Sequence, residues 1–239
     1  MFINRVMKIA IYGDSYAKMR WEEDGRMSWV DYLSEEFDVT NYGETGSNLA
    51  FSYQHFLENH KKYEVNIFLG TSYGRLYVPE LQAVTKGIAG FPTVEHHLKH
   101  RTHPNDRKIL QAAYDYYVYL ENDNHQQIMH VAMVKDILRH TNTIVIPCFD
   151  AQSLVPNWEG PALSAISQLD SDYHDITSFI IDKRPCHLND LNNKIFAGKI
   201  KEYILSNRYD QFTINLSDYH IAVGEEFDYN FFEQTDTIQ

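Results

Sequence analysis

The chain has 239 residues, is 44% hydrophobic, and carries 33 acidic against 21 basic residues for a net charge of −12. That suits one large domain with a sizeable core. An acidic field repels phosphate backbones and anionic lipid surfaces, which argues against general nucleic-acid or membrane partners. Mean hydropathy is −0.44, and no stretch approaches the ~18 consecutive apolar residues of a membrane helix.

The predicted elements follow in chain order. Met1 to Ala10 runs directly into a strand pattern, with no long apolar leader and no small-residue cleavage site, so the expected location is the cytoplasm. Lys8-Ile9-Ala10-Ile11-Tyr12 is a short apolar run closed by Gly13-Asp14-Ser15, a turn signal with a helix expected after it. Ser28 through Phe37 has Trp29, Val30, Leu33 and Phe37 at helical spacing. Asp38 to Tyr42 reads as a strand stopped by Gly43, and Ser47 is placed to cap a helix over Asn48–His60. Glu64 to Leu69 is a third strand, stopped by Gly70.

Residues 78–106 break this rhythm with three prolines, two glycines and four histidines (His96, His97, His100, His103), and read as an insertion or lid, or as an interface. A long helix over Lys108–His140, interrupted near Asn122–Asn124, precedes a fourth strand at Thr143–Pro147. A late helix spans Leu188–Leu205, and the tail from about 207 to 239 is acidic and aromatic, suited to an edge strand or to docking.

Strand and helix alternating at this pace imply right-handed parallel crossovers with helices on both sheet faces. The expected fold is therefore α/β, a three-layer α/β/α flavodoxin-like sandwich in a single domain over 1–239, with a mostly parallel sheet of about five strands. Functional residues in such sheets sit on loops at the carboxyl ends of strands. Gly13-Asp14-Ser15, Gly43-Glu44-Thr45-Gly46 and Gly70-Thr71-Ser72 are three such loops, and Cys186-His187-Leu188-Asn189 opens the last helix.

These four blocks, in this order, resemble the SGNH (GDSL-type) hydrolase superfamily across Lys8 to Ala197. The resemblance implies Ser15 as a nucleophile on an exposed turn beside a helix N-terminus and His187 as its base. It implies an oxyanion hole from the N–H groups of Ser15 and Gly46, where a glycine lets the backbone approach the substrate closely. The local alternatives are a helix cap at Ser15 and His187, and turn glycines with positive φ at Gly43 and Gly46.

Two blocks depart from the family pattern. Ser72 stands where the family has an asparagine donor, and losing one such donor costs on the order of 10²–10³ in rate. Arg75 is placed to supply a charged substitute, to hold an anionic substrate group, or simply to be structural. Arg184 stands three residues before His187, where the family has its acid; Asp182 is the nearest carboxylate and orients the ring only if the turn at Pro185 is rearranged.

The resemblance points to a serine esterase acting on a small acyl ester, an O-acetyl group on a carbohydrate being the first to test. Its rivals are a catalytically impaired binding or assembly module of the same fold and an O-acyltransferase. No cofactor is expected. The histidines of the 78–106 segment lack the carboxylate or cysteine pair of a zinc site, so no metal is expected either. Cys148 and Cys186 form no disulfide framework, and no histidine-and-acid pattern centres on either. The 17 tyrosines suit core packing, sugar stacking or a homo-oligomer interface.

Overall fold

The computed structural model describes residues 6–17, 27–44, 47–71, 75–77, 87–89, 98, 104–119, 123–149, 155, 158–168 and 188–220. Its centre is a parallel sheet built from β1 (Lys8–Tyr12), β2 (Asp38–Asn41), β3 (Val65–Gly70) and a strand at Thr143–Pro147. A two-stranded antiparallel ribbon, β4 (Arg75–Tyr77) with β5 (Gly87–Ala89), lies between β3 and that last strand in sequence, which is therefore β6. The sheet order is β2-β1-β3-β6, with Ile9 opposite both Val39 and Val65, and Ile67 opposite Ile144. This is flavodoxin-like α/β topology.

The sheet has four strands among the described residues, against the expected five or so. The tail does not add an edge strand as far as it is described. Its residues 207–220 form short 3₁₀ turns at Tyr209–Gln211 and Leu216–Asp218 and bury Phe212, Ile214 and Tyr219 in the core.

Alternation along the strands sorts the two faces. Ile9, Ile11, Ile67, Leu69, Ile144 and Ile146 pack with α1 (Trp29–Ser34) on one side. Ala10, Tyr12, Phe68 and Val145 pack on the other with α2 (Leu49–Asn59), through Leu49 and Phe56. The helical stretch after the ribbon is described as α3 (Pro104–Tyr119) and α4 (Asp123–Ile137); the interruption expected near Asn122–Asn124 borders residues 120–122, which lie outside the described residues. The stretch is already helical at Pro104, ahead of the expected Lys108, and proline suits a first turn, where its missing N–H has no intrahelical partner to lose. Val134 and Ile137 of α4 join the α2 face, while α5 (Leu163–Gln168) and α6 (Asp190–Leu205) complete the α1 face. Three layers result.

The helix starts follow local chemistry. Ser28 and Asp31 close a capping box at α1. The cap of α2 is Asn48, whose side chain accepts from the Phe51 amide at 2.9 Å, not Ser47. Ser47 is fully buried and spends its hydroxyl on the Gly13 carbonyl instead.

Candidate active site

The chain passes from β1 to β2 on one side and then to β3 on the other, so the carboxyl ends of β1 and β3 flank a topological switch point. Open parallel sheets bind ligands in the crevice outside such a point. Ser15 leaves β1 at this crevice, and Thr71 leaves β3 beside it.

The residues that follow β1 form a single 3₁₀ turn, Ser15–Ala17, closed by the Ala17 amide on the Asp14 carbonyl at 2.9 Å. Residues 18–26, where the expected helix would run, lie outside the described residues. The backbone N–H groups of the turn itself are donors available to negative charge. Asp14 and Tyr16 are buried, whereas Ser15 between them is half-buried. Its hydroxyl and amide have no hydrogen-bond partner among the described residues, which leaves a potential nucleophile and a potential oxyanion donor uncommitted.

Around Ser15 the turn is fastened from several directions. The Gly13 carbonyl accepts from the Ser47 hydroxyl at 3.0 Å and the Glu44 amide at 3.1 Å. The buried Asp14 carboxylate accepts from the Tyr16 amide at 3.0 Å and from the Thr71 hydroxyl at 2.7 Å. The Tyr16 carbonyl accepts from the Trp29 indole at 2.6 Å, and the Asn41 amide donates to the Ala17 carbonyl. Three separate elements, α1 and the loops after β2 and β3, therefore hold one turn.

Close approach explains two glycines here. A Cβ on Gly13 would meet the Leu69 Cβ at 2.7 Å. Gly43 was expected to need positive φ; among the described glycines only Gly160 has it. A Cβ on Gly43 would instead collide with Ala17 and approach the Asn41 side chain, which accepts from the Gly43 amide at 2.7 Å.

The start of α6 is fixed against the same neighbourhood. Asn189 caps the helix by accepting from the Asn192 amide at 2.7 Å. Asn193 donates to the Leu188 carbonyl at 2.9 Å and accepts from the Trp29 amide at 3.0 Å. Trp29 is 1% exposed and so acts as a strut, its amide on α6 and its indole on the Ser15 turn. Ring contact with Phe196 at 5.3 Å, edge to face, packs it further.

On the α2 side, Tyr12 stacks on Tyr42 at 5.3 Å, and the Tyr42 and Tyr63 hydroxyls pair at 2.8 Å. Burial first, and then the neighbouring phenols, raise Tyr12. Burial and the bond to Tyr63 push Tyr42 up to about 12. These phenols stay protonated at neutral pH and cannot serve as bases.

Of the residues expected in the site, Ser15 is placed at the crevice. Gly46, Ser72, Asp182, Arg184 and His187 lie outside the described residues, as do the four histidines and Cys186. Arg75 opens β4, with its backbone opposite Ala89 in the ribbon. Cys148 is buried in the core just after β6, its amide on the Gly70 carbonyl. Among the described residues, no group of three or more His, Cys, Asp or Glu side chains is placed to hold a metal ion. None of the helices among them is long and apolar enough to cross a membrane. A separate cleft of about 710 Å³ is lined by His140, Thr143, Val145, Trp158 and Tyr209, among others, and does not include Ser15.

No protein-family model matches the chain, and no curated protein matches it. Among solved structures it is similar to the acetyl xylan esterase AlAXEase, at 13% identity and a TM-score of 0.42, covering 83% of this chain and 100% of that one. A catalytic mutant of an acetylxylan esterase from Geobacillus stearothermophilus is similar at 13% identity and a TM-score of 0.26, over 59% of this chain and 76% of that one. At these values neither likeness bears on the activity of the chain.

Proposed function

We propose that the chain is a serine esterase of SGNH type acting on small acyl esters, with an O-acetylated carbohydrate as the substrate to assay first. The observation that carries this reading is Ser15 itself. It stands at the switch point of a parallel sheet, in a turn fastened by α1 and two loops, with its hydroxyl and amide uncommitted. The four blocks that resemble the superfamily add His187, whose following residues are tied through Trp29 to the Ser15 turn.

In this reading the Ser15 Oγ attacks the acyl carbonyl while the His187 imidazole takes its proton, with Asp182 orienting the ring. Negative charge gathers on the carbonyl oxygen, where the Ser15 and Gly46 amides and the Ser72 hydroxyl donate to it. Collapse breaks the ester C–O bond, and His187 returns the proton to the leaving alcohol. Water then attacks the acyl-serine by the same route, regenerating Ser15. Arg75 holds a polar group of the substrate.

Hydrolysis of a small acetyl ester and of acetylated xylo-oligosaccharide by wild type, Ser15→Ala and His187→Ala tests this. Wild-type turnover should fall on the order of 10³-fold or more in each variant. Full activity in Ser15→Ala would refute the assignment. Ser72 and Arg184, at the expected Asn and Asp positions, favour a second reading, a binding module without turnover; wild type would then hydrolyse neither ester. Acyl transfer to an added alcohol in preference to water would mark an acyltransferase.

A further inference from the structure

Asp14 is a fully buried carboxylate directly beside the proposed nucleophile, and the esterase mechanism gives it no task. Its oxygens turn inward, one to the Tyr16 amide at 3.0 Å and the other to the Thr71 hydroxyl at 2.7 Å. Thr71 is itself fully buried. It continues β3, whose last residue, Gly70, is opposite Pro147 and accepts the Cys148 amide at 2.8 Å. The anchor is therefore as rigid as the sheet.

We propose that Asp14 and Thr71 are a positioning pair, which sets where Ser15 stands over the crevice between β1 and β3; the role rests on the esterase reading. An O–H···O⁻ bond of this length is charge-assisted and stronger than a neutral one. Burial adds to the constraint, because a carboxylate cut off from water must keep its donors. By taking the Tyr16 amide, Asp14 also fixes the peptide plane that follows Ser15. The Ser15 amide is then the donor of this turn left for an oxyanion. The two residues are 57 positions apart and join the first and third blocks of the resemblance.

The test compares Thr71→Val, which keeps the branched shape and removes the hydroxyl, with Thr71→Ser, which restores it. Asp14→Asn serves as a second variant of near-equal volume, combined also with Thr71→Val. A positioning role predicts that Thr71→Val lowers kcat at least tenfold with KM within about twofold, and that Thr71→Ser recovers to within about threefold. It also predicts that the double variant is no slower than Asp14→Asn alone, because the two side chains act as one unit. Unchanged kcat in Thr71→Val, or equal loss in Thr71→Ser, would overturn it; so would independent, multiplying losses in the double variant. If Thr71→Val does not fold, Asp14→Asn and Thr71→Ser decide: kcat must fall in the first and hold in the second. If wild type shows no esterase activity, the esterase reading has failed, and the pair is judged by hydrogen exchange of the Tyr16 amide. Protection lost in Thr71→Val and kept in Thr71→Ser supports the pair; equal protection in both overturns it.

Discussion

Replacing Gly13 by alanine probes how rigidly the Ser15 turn is held against the sheet. The new Cβ would sit 2.7 Å from the Leu69 Cβ, 3.2 Å from its Cγ and 3.1 Å from its Cδ1, whereas ordinary contact begins at 3.4 Å. Something must retreat by about 0.7 Å. Leu69 cannot, because its Cβ is fixed to the backbone of β3, which is bonded to β1 on one edge and β6 on the other. The turn must move instead. Overpacking of this kind costs about 1–3 kcal/mol, which for a chain of this size lowers Tm by roughly 3–9 °C. A displacement of nearly 1 Å at a reacting atom costs on the order of 10²-fold in rate. The tightest contact is with a Cβ, so adding Leu69→Ala should rescue little, although it removes the two lesser contacts. Thermal melting with ester hydrolysis measures both effects. A Gly13→Ala protein that melts within about 1 °C of wild type and retains its rate would refute this account. Full rescue by Leu69→Ala would show that flexible side-chain atoms, not the sheet backbone, set the limit.

Trp29→Phe keeps an aromatic ring but removes the indole N–H on the Tyr16 carbonyl; stability should fall by about 1 kcal/mol in urea melts, and esterase activity by about tenfold, while equal activity would deny Trp29 its role as a strut. Asn189→Ala removes the cap of α6 and should cost about 1 kcal/mol, against a few tenths for Asn189→Gly; identical urea midpoints for the two would contradict the cap. Burial pushes His130 down to about 4 from 6.5, so the unfolded chain binds the proton more readily than the fold. Its contribution is intact above pH 6.5 and is lost as pH falls towards 4, about 2 kcal/mol of it by pH 5. Urea unfolding at pH 7 and pH 5 should show this loss, reduced in His130→Gln, and an unreduced loss would rule His130 out as its source.

Much of the fold is legible in local pattern. Ile9, Ile11 and Ala10, Tyr12 alternate between two cores because a strand sends successive side chains to opposite faces, and the runs at Val65–Gly70 and Thr143–Pro147 are buried throughout, and largely apolar, because both faces are covered. Helix starts depend on choices between adjacent polar residues, and there pattern fails. Ser47 and Asn48 are both capable caps, and only the approach of the Gly13 carbonyl decides that Ser47 is spent elsewhere. Gly43 looks like any turn glycine, yet its constraint comes from Ala17, on a different loop. The candidate site divides the same way. Ser15 is legible because a turn after the first strand of a parallel sheet leads to the crevice. Asp14, Thr71, Trp29 and Asn193 are not, since each acts through a partner far away in sequence, and periodicity carries no information about such pairs. Asp14 sits inside the very motif that marks Ser15. Its type, a carboxylate between a close-packed glycine and a serine, was the available signal.

The central claim is that Ser15 is a nucleophile. Treating the purified protein with a fluorophosphonate and mapping the adduct by peptide mass spectrometry tests it directly. The account predicts a single adduct on the peptide containing Ser15, absent from Ser15→Ala and strongly slowed in His187→Ala. No adduct on wild type, or one that survives Ser15→Ala, would contradict it.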